Sequence, residues 1–126
     1  MEHFDLFVRL CDVDLTGRSY NVCDGLIRVV PGMCEPAPDG VRAVRVELWP
    51  TAYRFGVGHR VRIQVSGGAH PRYARNTGTG EPLATATGLL AGDREVFHDP
   101  RHPSVVLLPV ASGGGSAGVL RDPAAG

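Results

Sequence analysis

Two runs of alternating residues on either side of a rigid turn constrain this chain most. Val44, Val46 and Leu48 fall on one side of an extended backbone and Arg45 and Glu47 on the other, and Val61, Ile63 and Val65 repeat the pattern against Arg60, Arg62 and Gln64. Between them lie Trp49, the only Trp, then Pro50 and the glycines at 56 and 58. A period of two is the signature of strands with one face on a core. The stretch from Leu48 to Ser66 therefore reads as strand, turn and strand, and it names no chemistry.

Further strands follow from the same pattern. Phe4, Leu6, Val8 and Leu10 alternate with Asp5, Phe7 and Arg9, which predicts a strand whose even-numbered residues face the core. Asp14 to Gly17 has turn chemistry. Arg18 to Val22 reads as a short return strand, and Asp24-Gly25 as a hairpin leading into a third strand at Leu26 to Val30. Three prolines and two glycines between Pro31 and Gly40 predict an exposed loop. Gly67 to Glu81 is polar and rich in glycine, a long ordered or functional loop. Leu83 to Leu90 is ambiguous, because Ala and Leu favour a helix while Thr85, Thr87 and Gly88 oppose it. Glu95 to His98 and Val105 to Val110 read as final strands separated by a proline-enforced turn.

No segment sustains a helical period and strands recur at short spacing, so the fold class is all-β, an antiparallel sandwich. The 126 residues fit one domain. Its bounds are read as 1–111, with 112–126 a disordered tail rich in Gly, Ser and Ala.

Charge and cysteine content narrow the functions. Thirteen basic and thirteen acidic residues leave no net field to attract nucleic acid or an anionic membrane, so neither is expected as a partner. No apolar run is long enough to span a bilayer and the N-terminus lacks a secretion signal, which predicts a cytoplasmic protein. Cys11, Cys23 and Cys34 are odd in number and lack C-x-x-C spacing, so they read as buried free thiols.

In order along the chain, His3-Phe4-Asp5, Phe7 to Val13, Gly17-Arg18-Ser19, Cys23-Asp24-Gly25, Leu48 to Ser66, Ser66 to Asn76, Gly78 to Glu81, His98-Asp99, His102-Pro103-Ser104 and Leu107 to Val110 resemble one family. It is the C-terminal β-sandwich of the X-prolyl dipeptidyl-peptidase and cocaine-esterase-like serine hydrolases. The resemblance covers nearly everything except the tail. It implies a jelly-roll (galactose-binding-like) sandwich, here incomplete because the opening strands have no counterpart. It further implies a parent α/β-hydrolase that cleaves esters or amides of acyl or aminoacyl groups with a Ser-His-Asp triad in its other domain. On that reading the chain is a non-catalytic domain or fragment with a structural or interdomain role, and its partner is a separately encoded hydrolase domain. The alternative is a free-standing carbohydrate- or ligand-binding jelly-roll module. A half sandwich with open edges also predicts self-association.

Each candidate site residue has a plainer role beside the functional one. Gly114 to Gly118 satisfies G-x-S-x-G around Ser116, yet it lacks the strand, the helix and the later acid and His that a nucleophile elbow needs, so no catalytic residue is assigned. His98, Asp99 and His102 are metal-ligand types, but Pro100 and Pro103 place them in a turn, so no metal and no cofactor are expected. His70, Arg72, Tyr73, Arg75 and Asn76 form the one cluster suited to a carboxylate or a sugar, as an interdomain or ligand loop, against the plainer role of tying down a long loop. Trp49 and Tyr53 suit sugar stacking, but a Trp closing an amphipathic strand reads more simply as core.

Overall fold

A computed structural model describes residues 3–111 and, as backbone, 117–120. Among them every regular element is a strand: β1 (Phe4–Val13), β2 (Ser19–Val29), β3 (Arg60–Ser66), β4 (Val106–Pro109) and β5 (Ala117–Leu120). All pairing is antiparallel. Met1–Gly92 forms one compact unit with a three-stranded sheet in the order β2-β1-β3, and Asp93–Gly126 forms a second with the pair β4-β5. The fold is all-β, an incomplete sandwich.

The turn from β1 to β2 is where its residues predict it. Asp14 Oδ1 accepts hydrogen bonds from the Thr16 amide at 2.8 Å, the Thr16 hydroxyl at 2.6 Å and the Arg18 amide at 2.9 Å, while Gly17 takes the left-handed backbone that closes the turn. The Thr16 hydroxyl, foremost among these donors, holds the Asp14 carboxyl below its usual range.

β2 departs from expectation. It is one strand of eleven residues running straight through Asp24-Gly25, and its irregularity is a bulge at Val22, where Leu10 pairs Cys23 and Cys11 pairs Asn21. Gly25 serves close approach rather than turning, since a Cβ there would lie 2.0 Å from the Glu47 carbonyl oxygen. The chain at 47–49 crosses here, and the Trp49 amide donates to the Asp24 carbonyl at 2.9 Å.

That crossing segment is the run expected to be a strand at Val44 to Leu48. Its burial alternates as predicted, with 44, 46 and 48 half-buried and 45 and 47 exposed, but no ladder forms along it. Alternation specifies a face; a strand also requires a neighbour running alongside it, and the crossing of β2 supplies one backbone bond, from the Trp49 amide, and no ladder among the described residues. Glu95 to His98 likewise forms no strand, and 83–90 holds a single turn closed on the Pro82 carbonyl instead of a helix. β5 lies inside the stretch expected to be disordered, where Val119 and Leu120 interrupt the Gly and Ser run and pair with Leu107 and Val106. Residues 112–116 and 121–126 lie outside the described residues.

The register assigns faces. Leu6, Val8, Leu10 and Asp12 share the even face of β1 with Val61, Ile63 and Val65, while Asp5, Phe7, Arg9, Cys11 and Val13 share the odd face with Arg28, Asp24, Arg62 and Gln64. The even face was expected to carry the core. Burial instead divides between the faces: Asp5, Phe7, Cys11 and Val13 of the odd face are buried together with Leu10 and Asp12 of the even face, while Phe4, Leu6 and Val8 are only half-buried. Burial of the odd face follows from the long loop after β3, whose side chains reach Phe7, Asp5 and Asp24.

Candidate functional site

Three carboxylates in strands, Asp5, Asp12 and Asp24, are buried, and each binds a different part of the loops. A buried carboxylate is tolerated only with partners. Asp5 has the fullest set. Arg28, directly opposite it on β2, gives Nε to Oδ1 at 2.8 Å and Nη2 to Oδ2 at 2.7 Å, a two-pronged pair, and Asn76 Nδ2 adds 2.7 Å to Oδ1. The Asp5 hydrogen bond raises the Arg28 guanidinium further above its ordinary value. Arg28 Nη2 also donates to the Ala74 carbonyl at 2.8 Å, so the loop is held by backbone and side chain together.

Asp24 Oδ2 accepts from Arg72, whose guanidinium lies 5.4 Å from the Tyr73 ring centre. Tyr73 in turn packs obliquely on Phe7 with ring centres 6.1 Å apart. Among the described residues Asp24 Oδ1 is buried without a hydrogen-bond partner, and so is Nε of Arg9, its cross-strand neighbour on the same face, whose guanidinium sits 5.2 Å from the Phe7 ring centre.

Asp12 ties down the stretch before β3. Tyr53 donates its hydroxyl to Oδ2 at 2.6 Å and His59 Nδ1 lies 2.8 Å from Oδ1. The hydrogen bond to Asp12 raises the Tyr53 phenol above its ordinary value near 10. Tyr53 also meets Phe55 edge to face at 5.1 Å.

Of the five loop residues singled out from sequence, then, Arg72, Tyr73 and Asn76 converge on the sheet, while His70 and Arg75 are exposed and make no hydrogen bond among the described residues. Sequence reasoning missed their receivers, Asp5 and Asp24, missed Arg28, which donates to Asp5 and to the loop carbonyl of Ala74, and missed Asp12 with His59. The signal was there: Asp is disfavoured inside strands, so an Asp in a strand marks a bound carboxylate. Trp49, expected in the core, is 65% exposed, and Tyr53 is 48% exposed. Their segment crosses the sheet without a ladder, which leaves both rings at the surface.

The other candidates lie in the second unit. Asp99 Oδ1 accepts the amides of Arg101 at 2.8 Å and His102 at 2.9 Å, and the His102 amide leads in lowering its carboxyl. His102 packs on Phe97 at 5.4 Å. Among the described residues no group of three His, Cys, Asp or Glu is placed to hold a metal ion. Ser116 lies outside the described residues.

Residues 2–107 match the model of the X-Pro dipeptidyl-peptidase C-terminal non-catalytic domain. The chain belongs to this family. It is a non-catalytic domain of a hydrolase family. It is also 30% identical over 115 residues to the cocaine esterase of Rhodococcus sp. (strain MB1 Bresler), in a match that takes in 84% of this chain and 20% of that protein. The chain thus spans about a fifth of the length of the curated relative it matches. No solved structure matches. The three carboxylates and their loop partners all lie inside the matched residues, so they are features of a C-terminal non-catalytic domain. No helix among the described residues is long and apolar enough to cross a membrane.

Proposed function

We propose that this C-terminal domain serves a serine hydrolase structurally, docking on a hydrolase domain that cleaves esters or amides of acyl or aminoacyl groups, and carries no catalysis of its own. The match of residues 2–107 to a non-catalytic domain carries this reading. The loop chemistry supports it, because Arg72, Tyr73 and Asn76 spend their polar and aromatic groups on the sheet. The three free thiols fit the reducing cytoplasm as its location. The purified chain is expected to show no turnover of chromogenic X-Pro and aminoacyl amides and esters. Turnover blocked by a serine-directed phosphonate would overturn the reading. When a family hydrolase domain cut before its own C-terminal part is mixed with the chain, its melting temperature is expected to rise, and no change at excess chain counts against docking.

A second reading is favoured by one observation, the exposure of Trp49 and Tyr53. Exposed aromatic rings stack on sugar faces, so the chain as a free-standing carbohydrate module predicts quenching of Trp49 fluorescence by sugars. Neither heat nor quenching at millimolar sugar removes it.

A further inference from the structure

β3 is the edge of the three-stranded sheet, and all seven of its residues are exposed. Its inner side is bonded to β1 and its outer side has no strand among the described residues. Long, regular, exposed edges are templates for another strand unless something blunts them. β3 has no proline and no bulge, and its even-face side chains Val61, Ile63 and Val65 stay 40%, 39% and 41% exposed.

We propose that β3 pairs with β3 of a second copy, antiparallel and centred on Ile63, to form a two-fold dimer with one continuous six-stranded sheet. The partner follows from the sequence of the strand itself. In this register Ile63 faces Ile63 of the partner subunit, Val61 faces the partner's Val65, Arg62 faces the partner's Gln64 and Arg60 faces the partner's Ser66. Six aliphatic side chains then form one unbroken stripe on the even face. On the odd face no two arginines stand opposite each other.

Neighbouring registers do worse. Centring on Arg62 opposes it to the partner's Arg62, and centring on Val61 opposes Arg60 to the partner's Arg62 twice. Centring on Gln64 avoids this but pairs only the five residues from Arg62 to Ser66 within the strand. Like charges directly opposite are destabilising, and a one-residue slip that turned one copy over would bring valines against arginines. The register centred on Ile63 is the one that uses the whole strand without an opposed pair of like charges. Its remaining electrostatic cost is diagonal, between the two Arg62 side chains, and salt screens that. Association is therefore expected to strengthen as ionic strength rises.

Cross-linking reads the register directly. Opposed residues of an antiparallel pair have Cα atoms about 4.5–5.5 Å apart, within reach of a disulfide. In a chain carrying Cys23→Ser and Cys34→Ser, leaving only the buried Cys11, Ile63→Cys is expected to give a disulfide-linked dimer under mild oxidation. Val61→Cys in the same background is the control, since it and its symmetry mate lie four residues apart along the strand, about 13 Å. It is expected to cross-link at least about tenfold more slowly, by the distance limit on disulfides. Two charge variants give opposite signs. Gln64→Glu places an acid against the partner's Arg62 and tightens the dimer, while Gln64→Arg loosens it. Two symmetric pairs make each shift about two- to thirty-fold in dissociation constant by sedimentation equilibrium. Both variants lose the same weak contact of Gln64 with Cys11, so the difference in sign is the readout. The proposal is overturned if the chain sediments as a monomer throughout, if Val61→Cys links as readily as Ile63→Cys, or if the two Gln64 variants shift alike. The measurement uses this chain alone and stands apart from docking on a hydrolase.

Discussion

Asp5 shows how a single residue orders a long loop. Its side chain is buried and fully bonded, to Arg28 through both oxygens and to Asn76, which sits far along the chain in the loop after β3. Because Arg28 also grips the Ala74 carbonyl, strand, neighbouring strand and loop share one network. Arg28→Met leaves the carboxylate buried with Asn76 alone. The expected cost is about 3 kcal/mol, the low end for breaking a buried pair because Arg28 is itself partly solvated. Adding Asp5→Leu to Arg28→Met is expected to recover most of that loss, since an apolar pair leaves no charge stranded. Urea midpoints of the two single variants and the double variant measure it, and a loss under about 1 kcal/mol for Arg28→Met, the size of an exposed pair, would show that the carboxylate does not depend on its partner.

At the scale of elements, Gly25 and the segment at 47–49 depend on each other. Without a side chain at Gly25 the crossing chain lies directly on β2, and the Trp49 amide reaches the Asp24 carbonyl. Gly25→Ala brings a methyl against backbone atoms of Glu47 and Leu48, which cannot rotate away as a side chain can. The crossing must lift, at a cost of about 1–3 kcal/mol as for overpacking, and the fluorescence of Trp49 reports it because no other Trp competes. Unchanged emission with unchanged stability would sink this account. The same site shows what the sequence makes legible. β1, its turn at Asp14 to Gly17, β3 and β4 follow from local alternation and turn chemistry, and the structure has them. Asp24-Gly25 reads as a hairpin locally because one dipeptide serves both a sharp turn and a close backbone approach, and only a distant segment, here the crossing at 47–49, decides which. Val44 to Leu48 carries a strand pattern whose ladder partner is not a local property. In the site, Arg72, Tyr73 and Asn76 stood out by type, but their receivers on β1 and β2 emerge only once the odd and even faces are fixed by register.

For the molecule as a whole, the buried apolar residues among those described are few: Phe7, Leu10, Cys11, Val13 and Val29. Much of the rest of the aliphatic content, including Val61, Ile63 and Val65, remains in contact with water. A structure of this kind leans on polar ties, the three bound carboxylates, more than on a large core, and that has a calorimetric signature. Unfolding heat capacity tracks the apolar surface newly exposed, and a well-packed chain of this length shows about 1.5–1.9 kcal/mol/K. This chain is expected to fall to about 1 kcal/mol/K or below, because its apolar residues are partly hydrated before unfolding begins. The measurement belongs on the Ile63→Lys variant, in which two lysines would face each other across the proposed strand pair and the long side chain still reaches solvent from the edge. Strand pairing between copies then adds nothing to the heat capacity. A value at the full length-scaled figure for that variant would mean that the even face is covered within the chain, and the open edge on β3 would lose its reason to bind a second copy.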